Sequence, residues 1–213
     1  MTPLSATQKA RDICLMAPVV PVLVIDDVAD ARPLAEALVA GGLPALEVTL
    51  RTEVALEAIA EMAKVEGGIV GAGTLLNSAD VAAAVEAGAQ FGVSPGATDM
   101  LLTACEDADL PLLPGAASAT EAMRLMERGY TTQKFFPAAT SGGAPALKAI
   151  GAPLPQISFC PTGGISLATA PDYLALDNTL CVGGSWVAPK DLVKAKAWDQ
   201  IEALAREAAQ LSR

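Results

Sequence analysis

The sequence of 213 residues contains no histidine, few aromatic residues and only four cysteines. Histidine is the side chain that most often transfers protons near neutral pH, and it is a common zinc ligand. Acid–base chemistry is therefore left to Glu, Asp, Lys, Tyr or Cys. The cysteines are scattered and include no CxxC pair. We expect reduced, packed thiols, no disulfide and no metal site.

Basic residues are also scarce, since 14 Lys and Arg face 24 Asp and Glu for a formal charge of −10. No run of Lys and Arg offers a surface for a polyanion, so a nucleic acid partner is not expected. The longest apolar stretch, residues 17–25, contains Pro18 and Pro21 and is much shorter than the roughly 20 residues of a membrane span. The N-terminal residues lack the pattern of a secretory signal, which favours a cytoplasmic location and no membrane contact.

What the sequence does contain is a repeated βα pattern. Short apolar runs, closed by Gly or Pro at intervals of 19 to 24 residues, alternate with segments of good helix formers such as 31–40, 53–64, 79–87 and 118–128. Eight strands are predicted, at residues 19–25, 45–50, 68–71, 91–93, 111–113, 132–136, 156–160 and 180–182. This predicts an α/β protein with one domain, residues 1–213, folded as a single (β/α)8 TIM barrel with an extra N-terminal helix at 2–14. An open flavodoxin-like sheet is the alternative, but it needs only five or six strands.

The second predicted strand carries charged residues on one face. Glu47, Thr49 and Arg51 alternate with Leu46, Val48 and Leu50, so they share a face that points into the barrel. Burying charge is costly unless the groups are paired or used in chemistry. The alternative is a structural ion pair that closes the barrel.

Lys134 lies inside the sixth predicted strand, next to two phenylalanines, whereas the other six lysines lie in polar helix or loop segments. Burial of an ammonium favours the neutral amine, which can attack a carbonyl carbon. The alternative is a lysine whose stem is buried and whose charge reaches solvent from an edge strand.

Gly-rich turns follow the seventh and eighth predicted strands, at residues 162–166 and 183–185. In a (β/α)8 barrel these neighbouring loops often bind phosphate through backbone N–H groups at helix N-termini. Either glycine pair alone could simply form a tight turn, as the SPG segment at 94–96 also could.

Six segments stand out along the chain: LEVTLRT at 46–52, GAGT at 71–74, SPG at 94–96, KFFPA at 134–138, CPTGGI at 160–165 and GGSW at 183–186. Together they resemble the bacterial 2-keto-3-deoxy-6-phosphogluconate (KDPG) aldolases of the KDPG/KHG aldolase family, in the same order from about Pro18 to Trp186. The resemblance implies a class I (Schiff-base) aldolase, an aldehyde-lyase on a (β/α)8 barrel. It implies a homotrimer in the Entner–Doudoroff pathway, without metal or other cofactor.

The resemblance also assigns roles to individual residues. Lys134 corresponds to the Schiff-base lysine and Glu47 to the proton shuttle. The implied substrate-binding residues are Arg51 and Thr74 for the carboxylate, Thr162 for a hydroxyl, Phe136 as the aromatic wall, Pro95 in its SPG turn, and Gly163, Gly164, Gly184 and Ser185 for phosphate. Some members carry a basic residue in the first strand, whereas residues 19–25 here are apolar.

The substrate implied is the small molecule 2-dehydro-3-deoxy-6-phospho-D-gluconate, cleaved to pyruvate and D-glyceraldehyde 3-phosphate, with 4-hydroxy-2-oxoglutarate as a second substrate. One alternative is a pyruvate-forming lyase that prefers the galactonate epimer or unphosphorylated 4-hydroxy-2-oxoglutarate, because the imine chemistry is shared. A noncatalytic barrel that binds phosphosugars is the alternative from another class.

Overall fold

The structure is a computed structural model and describes residues 1–212. Within them the strands are β1 (Val19–Leu23), β2 (Ala45–Thr49), β3 (Ile69–Gly73), β4 (Phe91–Val93), β5 (Leu112–Leu113), β6 (Gly115–Ala116), β7 (Thr132–Phe135), β8 (Ser158–Pro161) and β9 (Val182–Gly184). The helices are α1 (Pro3–Leu15), α2 (Val28–Ala40), α3 (Ala55–Met62), α4 (Ser78–Glu86), α5 (Asp99–Asp107), α6 (Ala119–Arg128), α7 (Gly143–Gly151), α8 (Ala170–Leu174), α9 (Lys190–Lys194) and α10 (Trp198–Ala209).

The strands form two parallel sheets. One has the order β5-β4-β3-β2-β1-β9, and the other has the order β6-β7-β8. Backbone contacts join the sheets on one side, where Phe159 bridges to Thr179 and Thr162 bridges to Gly183. On the other side only Pro114 separates β5 from β6. The predicted alternation of parallel strands and helices is confirmed, and the inner faces of the two sheets enclose a common interior.

Pro114 divides what would otherwise be one longer strand. Proline has no N–H to donate to a ladder, so the hydrogen-bonded run stops there. Its carbonyl oxygen still accepts a hydrogen bond of 2.8 Å from the backbone N–H of Lys134, and the chain resumes as β6. The prediction ended this strand at residue 113, so β6 was not foreseen and the strand of Lys134 becomes β7.

Local sequence explains where the helices begin and end. The four helical segments named from the sequence begin and end within three residues of α2, α3, α4 and α6. Ser118 and Glu121 form a capping box at the start of α6, which satisfies N–H groups that the first helical turn leaves unpaired. Gly129 ends α6 with φ of 106°, a left-handed conformation that glycine adopts without strain.

Apolar side chains form two separate layers. The larger layer lies between strands and helices and includes Leu34, Leu38, Ile59, Phe159 and Ile201. The smaller one, called here the inner cluster, comprises Cys14, Val20, Ala45, Phe91, Val93, Leu113, Cys160, Leu180 and Cys181. Because α1 contributes Cys14, this helix closes one end of the interior. Among residues 1–212, none of the helices is long and apolar enough to span a membrane.

Candidate active site

Two buried charged side chains meet across the interior. Lys134 in β7 and Glu47 in β2 are 4% and 2% exposed, and Nζ donates a hydrogen bond of 3.2 Å to Oε1. The two strands belong to different sheets, so the contact links opposite walls. Taking both charges out of water costs several kcal/mol per ion, which the attraction between them only partly offsets. The pair therefore contributes little to the stability of the fold, and its burial is more typical of reactive groups in an active site.

Alternation along each strand explains why these side chains point inward. Glu47 lies two residues from Ala45 of the inner cluster and therefore on the same face of β2. Gly73, on the neighbouring strand β3, leaves room for the carboxylate, because a Cβ atom there would lie 2.4 Å from Glu47 Oε1. Thr49, on the same face, is fully buried and donates a hydrogen bond of 2.9 Å to the carbonyl of Leu23. The strand thus presents polar groups toward one end of the interior.

An aromatic ring connects the pair to an open cavity. Lys134 Nζ lies 5.1 Å from the centroid of the Phe136 ring, a distance at which a cation is attracted to the ring face. Phe136 also lines a cavity of about 430 Å³, large enough for a small phosphorylated metabolite. The lysine therefore lies just behind the wall of this cavity.

The cavity brings together six of the residues proposed from the sequence. It is lined by Val22, Val24, Arg51, Phe136, Thr162, Gly163, Gly164, Ile165, Gly183, Ser185, Ala188, Pro189 and Lys190. Gly163 and Gly164 have φ of 104° and 72°, so a left-handed turn exposes backbone beside Phe136, a path that other residues adopt only under strain. Gly183 lies against Thr162, because a Cβ atom there would be 2.2 Å from its Oγ1.

Thr74 and Arg51 lie together at the edge of the site. Arg51 Nε donates a hydrogen bond of 3.3 Å to Thr74 Oγ1. Thr74 has φ of 65°, a left-handed conformation that is costly for a β-branched residue and occurs most often at functional sites. The guanidinium keeps other donors available for a carboxylate.

Pro95 and Gly184, like Glu47, Lys134 and Thr74, do not line the cavity. Pro95 is half-buried, and its carbonyl oxygen packs against Gly115, where a Cβ atom would lie 2.3 Å away. Gly184 is buried, and a Cβ atom there would lie 1.8 Å from the Trp186 ring. Both residues therefore pack closely against neighbours beside the site, and their contact with substrate stays a prediction.

Lys190 was missed by the sequence reasoning, which grouped it with the solvated lysines. It lines the cavity at the start of α9, five residues after Ser185, and its Nζ is 3.4 Å from Asp26 Oδ2. The available signal was its position just beyond the Gly-rich turn that follows the last strand. Together with Arg51 it places two cations at the cavity of an otherwise acidic chain.

Comparison with known proteins agrees with this geometry. A model of the KDPG and KHG aldolase family matches residues 10–204. The chain belongs to that family. The KHG/KDPG aldolase of Escherichia coli (strain K12) is 52% identical over 200 residues, covering 93% of this chain and 94% of that protein. Members of the family are lyases, and so is this chain.

Solved structures of family members share the whole architecture. The KDPG aldolase of Zymomonas mobilis ZM4 with 3-phosphoglycerate has a TM-score of 0.92 and 49% identity, covering 97% of this chain and 98% of that one. The KDPG aldolase of Legionella pneumophila, with pyruvate captured as a covalent carbinolamine intermediate, has a TM-score of 0.91 and 45% identity, covering 94% and 98%. The KDPG aldolase family resemblance seen in the sequence is thus confirmed.

Proposed function

We propose that this chain is a class I aldolase that cleaves 2-dehydro-3-deoxy-6-phospho-D-gluconate to pyruvate and D-glyceraldehyde 3-phosphate. The observation that carries the proposal is the buried contact of 3.2 Å between Lys134 Nζ and Glu47 Oε1 beside a cavity with cations at its edge. The structure of the Legionella relative contains pyruvate as a carbinolamine, and that of the Zymomonas relative contains 3-phosphoglycerate. These ligands support a substrate with a pyruvate half and a phosphorylated half.

Lys134 begins the reaction as a nucleophile. Its neutral amine adds to the C2 ketone to give a carbinolamine, and loss of water gives an iminium ion. Glu47 is within hydrogen-bond distance of Nζ, so it can transfer the protons that these steps require. The Phe136 ring, 5.1 Å from Nζ, supplies an apolar wall that also favours the positive charge of the iminium.

Cleavage uses the same two side chains. Glu47, directly or through a water molecule, takes the proton of the C4 hydroxyl. The C3–C4 bond breaks, its electron pair moves into the iminium, and the enamine of pyruvate forms as glyceraldehyde 3-phosphate leaves. Protonation at C3 and hydrolysis of the imine then release pyruvate and regenerate the Lys134 amine.

The cavity supplies substrate binding. Arg51, positioned by Thr74 at 3.3 Å, is suited to pair with the substrate carboxylate. Gly163, Gly164 and Ser185 also line the cavity, where turns after β8 and β9 can offer N–H groups to phosphate. Thr162 is suited to bind a substrate hydroxyl, while Gly184 and Pro95 shape the adjoining backbone.

We further propose that the two sheets form one closed (β/α)8 barrel, a single domain with α1 as the extra N-terminal helix. The bridges of Thr162 to Gly183 and of Phe159 to Thr179, and the hydrogen bond from Lys134 to Pro114, support closure on both sides. Exposed Leu76, Met100 and Met123 offer apolar surface for the subunit contacts of a homotrimer. Cysteines kept as thiols suit a reducing, cytoplasmic location.

The covalent step can be tested by reducing the protein with borohydride in the presence of pyruvate and mapping the modified peptide by mass spectrometry. We expect one adduct, on Lys134. Lys134→Arg should lose it, whereas Lys148→Arg, which changes an exposed lysine of α7, should keep it. A folded Lys134→Arg protein that still forms the adduct would contradict the mechanism.

A further inference from the structure

Three cysteines that are far apart in the sequence meet in the inner cluster. Cys14 comes from α1, Cys160 from β8, and Cys181 from the residue that precedes β9. Their Sγ atoms all lie within 4.8 Å of one another, and each residue is at most 2% exposed. Cys160 is the register partner of Lys134 on the neighbouring strand, so the three thiols lie directly beneath the candidate active site.

The positions of the three sulfur atoms are set by the backbone. Cys160 and Cys181 are brought side by side by a hydrogen bond of 2.9 Å from the Leu180 N–H to the Phe159 carbonyl. Helix α1 is anchored beside them, because Thr7 Oγ1 accepts hydrogen bonds of 3.0 and 2.8 Å from the N–H groups of Thr131 and Thr132. The cluster is therefore built from fixed elements.

The surroundings of the thiols determine which ligand fits. Most side chains packed around them are apolar, among them Val20, Phe91, Leu113 and Leu180. One hydroxyl lies nearby, since Thr162 Oγ1 is 3.8 Å from Cys160 Sγ, but hard cations need several oxygen ligands and are therefore disfavoured. Structural zinc and iron–sulfur sites usually take four protein ligands. Three sulfur donors in an apolar setting instead suit a soft ion with low coordination number, and Cu(I) is the ion that thiolates select in this way.

The distances between the three sulfur atoms also fit a site with one metal ion bound by three thiolates. In a planar site with metal–sulfur bonds of about 2.3 Å, the three sulfur atoms would lie about 4 Å apart. The present separations of up to 4.8 Å would need to shrink by less than the width of an atom.

From this arrangement we propose that Cys14, Cys160 and Cys181 form a binding site for one Cu(I) ion, held by three sulfur atoms. The site lies at the closed end of the interior. None of its three cysteines is proposed to act in aldol cleavage, although Cys160 is the register partner of Lys134 and its Sγ is 3.8 Å from Thr162 Oγ1. The path from solvent to the site is short, because Leu15 and Met16, which follow Cys14, are 42% and 44% exposed. Opening the last turn of α1 would expose Cys14, which lies in that turn, to solvent.

The fourth cysteine provides a matched control. Cys105 lies in α5, is fully buried, and belongs to the larger apolar layer and not to the inner cluster. It therefore reports on the loss of a buried thiol outside the three-cysteine group.

The test is titration of the reduced protein with Cu(I) under anaerobic conditions, in competition with the chromophoric chelator bicinchoninate. We expect one ion per chain, and X-ray absorption showing three sulfur neighbours. Cys14→Ala, Cys160→Ala and Cys181→Ala should each weaken Cu(I) binding at least tenfold. Cys105→Ala removes an equally buried thiol and should bind as the unmodified protein does.

Several results would overturn the proposal. These are the absence of stoichiometric binding, fewer than three sulfur neighbours, or a folded cluster variant that retains the original affinity. Loss of binding in Cys105→Ala would also do so, because it would show a general effect of thiol removal. The absorption measurement on the unmodified protein needs no variant, so the proposal remains testable where a substitution prevents folding.

Discussion

The interior has a closed end, where α1 packs, and an open end, beside the cavity. At each end a glycine of β3 leaves room for a neighbouring side chain, but the two side chains differ in character. Strand β3 carries two glycines on its inner face. A Cβ atom at Gly71 would lie 2.5 Å from the Phe91 ring, and one at Gly73 would lie 2.4 Å from Glu47 Oε1. At the closed end the missing side chain admits an aromatic ring, and at the open end it admits a carboxylate. The position used for packing and the position used for chemistry are therefore only two residues apart on β3.

The two ends therefore contribute to the free energy of folding with opposite sign. Phe91 and its neighbours in the inner cluster gain stability from apolar burial. Glu47 and Lys134 are almost as buried, but burial of charge opposes folding. The apolar end also excludes water from beneath Lys134, which strengthens electrostatic interactions at the pair. Substitutions at the closed end should therefore act mainly on stability, and those at the open end mainly on turnover.

The largest effect at the open end is expected for Glu47→Gln. The amide can keep a hydrogen bond to Lys134 but cannot accept the substrate proton, so turnover should fall by roughly 10²-fold or more. The measurement is the rate of pyruvate release at saturating substrate, with circular dichroism to verify folding. Unchanged turnover would leave Glu47 as a structural partner of Lys134.

The comparison of the two glycines is tested directly by Gly73→Ala and Gly71→Ala. The first should push the Glu47 carboxylate away from Lys134, and we expect a fall in kcat of about tenfold or more, since small misplacement of a catalytic group is costly. The second should meet the Phe91 ring and destabilise the fold by about 1–3 kcal/mol, as overpacking does. Measuring kcat and urea unfolding for both variants separates the effects. Equal loss of stability with equal kcat would show that the two ends do not differ.

Much of this architecture could be predicted from the sequence, because local patterns carry it. Apolar runs closed by Gly or Pro marked the strands, and alternation placed Glu47 on an inner face. Lys134 stood out because its charge interrupted an apolar strand, whereas the role of Phe136 came only from the family resemblance of its segment. The break at Pro114 was harder to predict, since a proline that ends one strand while another begins at the next residue looks like a simple stop.

The remaining features depend on tertiary contact. Cys14, Cys160 and Cys181 have no informative spacing, and only the docking of α1 against two strands brings their sulfur atoms together. Pro95 belonged to a recognisable segment, but the sequence does not show that its carbonyl packs against Gly115 in the fold. Lys190 resembled any other exposed lysine, because its approach to the cavity depends on the path of the chain after β9.

Lys190→Ala should have the smallest effect on catalysis of the variants proposed. It tests how far substrate binding extends outward from the open end. Its ammonium lines the cavity but is largely exposed, with a side chain that is 64% accessible. Exposed charge interactions are weak, so KM for the phosphorylated substrate should rise about two- to fivefold with kcat nearly unchanged. Unphosphorylated 4-hydroxy-2-oxoglutarate provides the control, because a residue that binds only phosphate leaves its kcat/KM unaltered. The increase in KM should shrink at high salt, since exposed charges are screened. An equal loss on both substrates would instead place Lys190 among the groups that bind the shared carboxylate end.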